Sequence, residues 1–248
     1  MQIMDVMESG PVLDAVYLDV LMPSFPADEL VTLESLREGI ASGDTSVATI
    51  LDAAGAPLAA AVGDWSPGTG ILLLSYLAVR PGQRGGGYGA ALLHHAQREW
   101  VDRYGASALL AEVEHPAGHE GSQGYGDPVA RVRFYARYGG RALDLPYFQP
   151  ALQPGGQRVY GLILAVLGMD ATATGAGPDL MAVEPLRRFL TEYFETTEGC
   201  AGADPAAAAL WHGLARPDGV PLLPLDEPER IPLSTKDGPG PQAHPAAG

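Results

Sequence analysis

A glycine-rich turn is the segment of this chain whose residue types best suit chemistry. The turn Arg84-Gly-Gly-Gly-Tyr-Gly89 follows an apolar stretch and precedes a run that has the pattern of an amphipathic helix. Backbone N–H groups at the start of a helix, with no side chains over them, bind the oxygens of a phosphate or pyrophosphate. Arg84 can add a charge-assisted hydrogen bond to the same anion. The turn therefore predicts a site for a phosphate-bearing ligand.

Other glycine-rich motifs fit this turn less well. The phosphate loop of nucleotide hydrolases carries Lys and then Ser or Thr after its last glycine, where this chain has Ala90-Ala91. A dinucleotide-binding motif carries a third glycine where Leu92 stands. A glycine-rich hairpin or linker is the structural alternative, and the well-formed strand and helix on either side argue against it.

The residues around the turn carry a family resemblance. Leu77-x-Val79-x-Pro81, followed by Arg84-x-x-Gly87-x-Gly89, resembles the acyl-CoA-binding signature of the GNAT N-acetyltransferase superfamily. The resemblance implies acetyl-CoA as the acyl donor, with main-chain groups of the preceding strand on the pantetheine arm and the thioester carbonyl. A main-chain amide in such a place acts as an oxyanion donor, typically worth ~3 kcal/mol in acyl transfer. The implied acyl-CoA-binding residues are Leu77, Ala78, Val79, Arg80, Arg84, Gly85, Gly86, Gly87, Tyr88, Gly89 and Ala90.

A second motif points to the same family. Arg133-Phe-Tyr-Ala-Arg-Tyr-Gly139 resembles a later helix of GNAT enzymes, whose usual form is Phe-Tyr-x-x-x-Gly-Phe. The resemblance implies that Tyr135 protonates the departing CoA thiolate, which is feasible because a phenol pKa near ~10 lies above a thiol pKa near ~8.5. Gly140 stands where the family has an aromatic residue, and Asp127 stands near a cofactor-contacting asparagine. A core aromatic is the alternative for Tyr135, and we expect Tyr138 to be such a residue.

Paired carboxylates could remove the proton that an ammonium must lose before it attacks a thioester. Glu112 and Glu114 alternate with Ala111 and Val113, so both should lie on one face of a strand. Like charges side by side raise at least one pKa, which suits a general base. We prefer Glu112 as the base. Binding of a cationic substrate and a solvated strand face stay open as alternatives.

The loop after this strand contains His115 and His119. Pro116 and Gly118 interrupt a helix there, and no cysteine or third histidine completes a zinc site, so we predict no metal. The loop is predicted to line the substrate, and its glycine-rich continuation, residues 121–126, has the composition of a mobile lid.

Composition limits the class of protein and of substrate. The 248 residues carry a formal net charge of −15, which disfavours nucleic acid as a partner and favours cationic small molecules. Acidity that only maintains solubility is the alternative interpretation. The first residues do not resemble a signal peptide, no apolar run is long enough to span a bilayer, and Cys200 is the single cysteine. We therefore expect a soluble, cytoplasmic protein.

The order of predicted elements matches the GNAT fold. Hydrophobic periodicity predicts two helices, three strands, a helix, a strand, a helix and two strands over residues 1–168. This is an α/β domain, and the resemblance implies a mixed sheet that splays apart between its fourth and fifth strands. The predicted strands are 46–51, 57–62, 71–79, 108–114, 142–148 and 159–166, and the predicted helices are 12–21, about 28–42, about 88–104 and 129–138.

The last third of the chain extends beyond that domain. We predict a linker and helical extension over residues 169–235, with helices at about 181–195 and 206–214 and a proline-rich extended stretch at 217–232. Residues 236–248 are predicted to be a disordered tail. The helical face can pack on the domain, form a dimer contact or close over the substrate.

The resulting hypothesis is an acyl-CoA-dependent N-acyltransferase, with acetyl-CoA as donor and a small cationic or peptidic amine as acceptor. The amine is expected to attack the thioester directly, without a covalent enzyme intermediate. Two alternatives remain: a catalytically inactive GNAT-like acyl-CoA-binding or assembly module, and an enzyme that uses a different acyl group. A homodimer is compatible with either class.

Overall fold

The computed structural model describes residues 1–121, 125–153 and 155–240. The chain forms two compact units, and it passes from the first to the second within the strand that contains Leu109 and Leu110. Each unit combines strands with helices, which confirms the predicted α/β class. Among the described helices, none has the length and apolar character needed to cross a membrane.

The first unit contains an antiparallel sheet of four strands in chain order. These strands are β1 (Ile3–Val6), β2 (Thr45–Leu51), β3 (Pro57–Ser66) and β4 (Ile71–Val79). The predicted bounds of β4 are confirmed, whereas β3 continues four residues beyond its prediction. Turns with glycines at positive φ separate the strands, at Gly55 (85°) and Gly70 (72°).

Strand β1 was not among the predictions. Its four residues are too few for a periodicity to be recognised, and its pairing with β2 defines it. The side chain of Asp5 fixes it further, because the Asp5 carboxylate accepts hydrogen bonds from Trp100 Nε1 at 3.2 Å and Arg103 Nη2 at 2.7 Å. His95 Nε2 lies 3.0 Å from the same carboxylate. Burial opposes the charge of Asp5, but these partners outweigh it and lower its pKa.

The helices of the first unit are shorter and more interrupted than predicted. Helix α1 (Pro11–Val16) continues into a π-helical turn, and α2 (Leu33–Ser42) begins at the Thr32 cap rather than near residue 28. The helix predicted over 88–104 consists of α3 (Tyr88–His95), a π-helical turn and α4 (Val101–Tyr104). Its end at Gly105 (φ 60°) agrees with the prediction.

A β-bulge interrupts β4 at Ser75. Val62 of β3 pairs with Tyr76 and Gly63 pairs with Leu74, so Ser75 has no partner in β3. The Ser75 hydroxyl instead donates to Asp64 Oδ2 at 2.5 Å, and Thr45 Oγ1 donates to Asp64 Oδ1 at 2.6 Å. Burial raises the pKa of Asp64 despite these two donors. The carboxyl group therefore occupies the fold at an energetic cost whenever it is ionised.

The larger sheet of the second unit has five strands, in the order β5 (Ala108–Glu114), β7 (Leu162–Met169), β6 (Arg141–Leu143), β9 (Val220–Pro224) and β8 (Leu180–Met181). Strand β5 (Ala108–Glu114) has its predicted bounds, and helix α5 (Pro128–Arg137) follows it. The last two predicted strands are shorter or displaced, since β6 covers Arg141–Leu143 and β7 covers Leu162–Met169. Strand β6 is antiparallel to β7 and to β9.

The C-terminal third adds both strands and helices to the second unit. Strand β8 (Leu180–Met181) precedes the predicted helices, α6 (Val183–Glu198) and α7 (Pro205–Gly213). The proline-rich stretch contains β9 (Val220–Pro224), which pairs with β6 and β8. A hairpin follows, formed by β10 (Ser234–Thr235) and β11 (Gly238–Pro239). Residues 241–248 of the predicted tail lie outside the described residues, and the division at residues 168 and 235 stays a prediction.

The Asp64 site gives a prediction with a defined sign. The pKa of Asp64 is higher in the folded protein than in the unfolded chain. Its contribution to the free energy of unfolding is therefore complete at pH values below the unfolded pKa, and it is lost as the pH rises through the folded pKa. Asp64→Asn, which imitates the protonated form, should therefore raise the free energy of unfolding and the Tm at pH 7. Thermal unfolding at pH 4 and pH 7 measures this, and the gain should shrink at pH 4. A loss of stability of the same size at both pH values would contradict the assignment.

Candidate functional site

The glycine-rich turn forms an exposed main-chain cradle at the start of α3. All residues from Pro81 to Gly87 are exposed, and three glycines of the turn have positive φ: Gly82 (83°), Gly85 (93°) and Gly87 (74°). Gly87 is the N-cap residue of α3 and has no side chain to cap the first amides of the helix. Those N–H groups and the positive end of the helix dipole are therefore presented to a ligand.

Two glycines of the turn differ in what a side chain would meet at each position. Gly87 needs its left-handed backbone, which side-chain-bearing residues adopt only with strain. At Gly86, a Cβ atom would lie 2.5 Å from the ring of Tyr88, so this ring covers the position that a side chain would need. The left-handed backbone at Gly87 thus favours a residue without a side chain at the start of α3, which is the feature that an anion site needs.

The strand before the turn presents the other predicted donor-binding residues. Leu77, Ala78 and Val79 lie in β4 opposite Ala61, Ala60 and Ala59 of β3. Arg80 follows the strand, and its backbone N–H donates to Leu58 O at 2.9 Å. Arg84, Gly89 and Ala90 lie in the turn and in the first turn of α3. All eleven predicted acyl-CoA-binding residues therefore belong to one continuous strand–turn–helix segment, and their role in binding stays a prediction.

Glu112 is the centre of a hydrogen-bonded cluster in the second unit. Tyr147 Oη donates to Glu112 Oε1 at 2.5 Å, and Gln149 Nε2 donates to Glu112 Oε2 at 2.8 Å. Tyr193 Oη of α6 lies 3.5 Å from Oε1. These donors are neutral, so they satisfy lone pairs of the carboxylate without cancelling its charge. Burial, and then the Glu112 charge, raise the pKa of Tyr147 well above its usual value, which keeps it a donor.

Glu114 shares the strand face of Glu112 but has different partners. Arg131 Nη1 of α5 donates to Glu114 Oε2 at 2.6 Å, and His119 Nδ1 lies 3.9 Å from Oε1. The Arg131 guanidinium compensates the charge of Glu114 directly. The side chains of the two glutamates are half-buried between buried Ala111 and Val113, as the alternation predicts. Their described contacts distinguish them, and the role of either as a general base stays a prediction.

Tyr135 lies on α5 and is buried, with 6% of its surface exposed. Burial raises its pKa to about 12, although Arg131 opposes the shift. Its ring packs against Phe134 with 5.2 Å between centroids. Tyr138, expected in the core, is only half-buried, so that expectation was wrong. This burial agrees with the alternative of a core aromatic, and the proton-donor role of Tyr135 stays a prediction.

Both departures from the family motif have a structural explanation. Asp127 is the N-cap of α5, where its Oδ1 accepts a hydrogen bond from the Val129 backbone N–H at 2.9 Å. At Gly140, a Cβ atom would lie 2.9 Å from the carbonyl oxygen of Tyr135. An aromatic side chain does not fit there. Neither substitution therefore indicates by itself a loss of activity.

The histidine loop anchors the C-terminal segment. His115 Nδ1 accepts the Ala117 backbone N–H at 3.0 Å, which places the proton on Nε2, facing Pro228 O at 3.0 Å and Ile231 O at 3.3 Å. Burial lowers the pKa of His115 and keeps the ring neutral. The described residues contain no group of three or more His, Cys, Asp or Glu side chains able to hold a metal. Residues 122–124 of the predicted lid lie outside the described residues.

The sequence predictions missed Tyr147, Gln149 and Tyr193. Tyr147 lies near the end of the strand predicted over 142–148, Gln149 directly follows that strand, and Tyr193 lies in the helix predicted over about 181–195. Their separations from Glu112 in sequence are 35, 37 and 81 residues. No local pattern connects residues so far apart, so only the alternation of Glu112 in β5 pointed to this cluster.

Comparison with solved structures shows the fold. The chain is 24% identical to a protein from Bacteroides thetaiotaomicron described as an acetyltransferase of the GNAT family, with a TM-score of 0.55, covering 78% of this chain and 99% of that one. It is 19% identical to the ribosomal-protein-S18-alanine N-acetyltransferase of Escherichia coli, with a TM-score of 0.45, covering 73% and 100%. A Bacillus anthracis protein described as a streptothricin acetyltransferase, in complex with acetyl coenzyme A, is 16% identical, with a TM-score of 0.36, covering 51% and 64%.

Comparison by sequence identifies the family. No curated protein matches the chain. The model of the acetyltransferase (GNAT) family matches residues 16–125, a range that contains β4, the glycine-rich turn and β5. Residues 16–125 therefore form a domain of the GNAT acetyltransferase family, a family of acyl-CoA N-acyltransferases.

Proposed function

We propose that this protein transfers the acetyl group of acetyl-CoA to a primary amine of a small cationic or peptidic molecule. The observation that carries the proposal is the bare, uncapped start of α3, with Gly87 at φ 74° and an exposed turn before it. Its amides and Arg84 suit the pyrophosphate of a coenzyme A thioester. The net charge of −15 favours a cationic acceptor over nucleic acid, and a cytoplasmic location agrees with the single cysteine.

The proposed chemistry needs one base and one acid. The nitrogen of the neutral amine attacks the thioester carbonyl carbon, and the C–S bond breaks as the tetrahedral intermediate collapses. Glu112 accepts the proton that the ammonium loses before the attack, directly or through a water molecule. The nitrogen of the intermediate then loses a second proton to water, and the CoA thiolate takes a proton from a donor. Tyr135 is the proposed donor from its place in the motif, and its phenol is protonated across the working pH range, with burial raising its pKa to about 12. Cys200 lies on the surface outside the matched domain and has no part in this scheme.

The cofactor site is tested by a charge placed in the turn. Gly87→Asp introduces a carboxylate where the pyrophosphate is proposed to bind, and acetyl-CoA affinity should fall by about 10- to 100-fold from lost contacts and repulsion. Isothermal titration calorimetry measures the Kd. Gly87→Asn, with the same strain and no charge, should lose less. Gly55→Asp is a second control, since Gly55 has a similar φ of 85° and open space around it. Equal losses in all three variants would contradict the anion site.

The general base is tested by removing one carboxylate at a time. Glu112→Gln should lower kcat by roughly 10²- to 10⁴-fold, the usual contribution of general acid–base catalysis, with acetyl-CoA binding unchanged. Glu114→Gln is the matched control on the same strand face, and it should affect stability through Arg131 more than it affects kcat. Initial rates of CoA release with spermidine, tyramine and an alanyl tripeptide as acceptors give the measurement. A larger loss of kcat in the Glu114 variant would reverse the assignment.

The proton donor is tested with Tyr135→Phe. Loss of the hydroxyl group should lower kcat by about 10-fold or more when a phenol protonates the thiolate, with little change in the KM of either substrate. Tyr138→Phe, on the same helix, is the control and should retain full activity. Activity of the Tyr135→Phe variant equal to that of the control would leave Tyr135 as a core aromatic only.

An inactive acyl-CoA-binding module and an enzyme for another acyl group are distinguished by two assays. Binding of acetyl-CoA without turnover of any amine would favour the module. A thermal-shift panel of acyl-CoA esters would identify a longer or a charged acyl donor by the largest stabilisation. Turnover with acetyl-CoA supports the proposal.

A further inference from the structure

Gln149 carries a buried acceptor atom with no partner. The residue is 5% exposed, and its backbone N–H and C=O groups bond those of Val159 at 2.9 and 3.0 Å. Its side-chain Nε2 donates to Glu112 Oε2. Its Oε1 is shielded from solvent and, over the described part of the chain, meets no hydrogen-bond donor. A buried amide oxygen left in this way costs free energy that a donor from a ligand can recover.

The orientation of this amide is fixed by its neighbour. A carboxylate only accepts hydrogen bonds, so the NH₂ group of Gln149 must face Glu112 and the oxygen must point elsewhere. Rotating the amide by half a turn would place Oε1 against the carboxylate at 2.8 Å and create repulsion. Gln149 Oε1 is therefore a hydrogen-bond acceptor that points away from Glu112, while the amide itself lies beside the Glu112 carboxylate.

An ammonium group is a ligand that suits the Glu112 carboxylate and the Gln149 amide oxygen together. Its positive charge complements Glu112, and its several N–H bonds allow donation to the carboxylate and to an amide oxygen together. We propose that Glu112 and Gln149 form the subsite for a primary ammonium group of the acceptor, with Gln149 as a positioning residue. This inference rests on the proposed function, because it identifies how the acceptor amine is held before its proton is removed.

Tyr193 of the C-terminal helix α6 borders the proposed subsite. Tyr193 is half-exposed, and its hydroxyl lies 3.5 Å from Glu112 Oε1, at the outer limit of a hydrogen bond. In the proposed subsite, the ammonium competes with this long contact for Oε1 of Glu112. Gln149 and Tyr193 lie outside the residues that match the family model, whereas Glu112 lies within them, so the proposed subsite combines the matched domain with the C-terminal part of the chain.

The test compares two variants that each remove one donor from Glu112. Gln149→Met removes the donor and also the unpartnered oxygen, whereas Tyr147→Phe removes a donor only. The amine is spermidine, tyramine or the alanyl tripeptide, whichever gives the highest kcat/KM with the wild type. Gln149→Met should raise the KM for this amine by ~10-fold or more, as expected when a hydrogen bond to a charged group is lost, and Tyr147→Phe by less than ~3-fold. Calorimetry should show the same difference in the Kd of spermidine for the CoA-saturated protein.

Controls separate this inference from the proposed function. Gln149→Leu repeats the test with another apolar side chain, and Gln157→Met makes the same exchange at an exposed glutamine. The acetyl-CoA Kd should stay unchanged in all these variants. Equal effects of Gln149→Met and Tyr147→Phe on amine KM and on spermidine Kd would overturn the subsite while leaving the acyltransferase intact. Failure of the wild type to bind acetyl-CoA would instead overturn the proposed function.

Discussion

The second unit depends on how a half-buried carboxylate in the middle of β5 obtains its hydrogen bonds. Glu112 cannot lie among buried neighbours without donors, because an unsatisfied charge is costly to bury. Its donors come from Tyr147 and Gln149, which follow β6, and Tyr193 approaches from α6. The loop after β6 and the C-terminal helix therefore have to be packed before this strand face is complete. This requirement links residues that are 81 positions apart in the chain.

The segment that holds Tyr147 is itself fixed from the C-terminal side. Ser234 Oγ donates to the carbonyl oxygen of Tyr147 at 2.5 Å and accepts the backbone N–H of Gly161 at 2.9 Å. The His115 ring, one residue beyond β5, faces the carbonyl oxygens of Pro228 and Ile231. Residues 228–234 thus contact both the end of β5 and the residue that donates to Glu112. The C-terminal third completes the surroundings of the proposed base as well as lengthening the sheet.

The sequence was sufficient to predict those segments whose structure is determined by residues close together in the chain. The glycine-rich turn, β4 and β5 were predicted with their bounds because a strand, a turn with positive φ angles and an uncapped helix start each leave a local pattern. Strand β1 was missed because four residues carry no readable period, and its Asp5 partners lie about ninety positions away. The bulge at Ser75 and the amide of Gln149 were also beyond prediction, since both are defined by pairing with distant residues.

The two glutamates of β5 show that side-chain contacts distinguish residues to which an alternating sequence pattern assigns the same face of a strand. Alternation places both on one face, and from the sequence either could be a base, a cation ligand or a solvated surface residue. Arg131 neutralises Glu114 at 2.6 Å, whereas the hydrogen-bond donors described for Glu112 are two phenols and an amide. Neutral donors hold a carboxylate in place and keep its charge for a cation, while an arginine uses that charge itself. The contacts described for the two carboxylates therefore differ in charge, and this difference is the reason to propose Glu112 rather than Glu114 as the base.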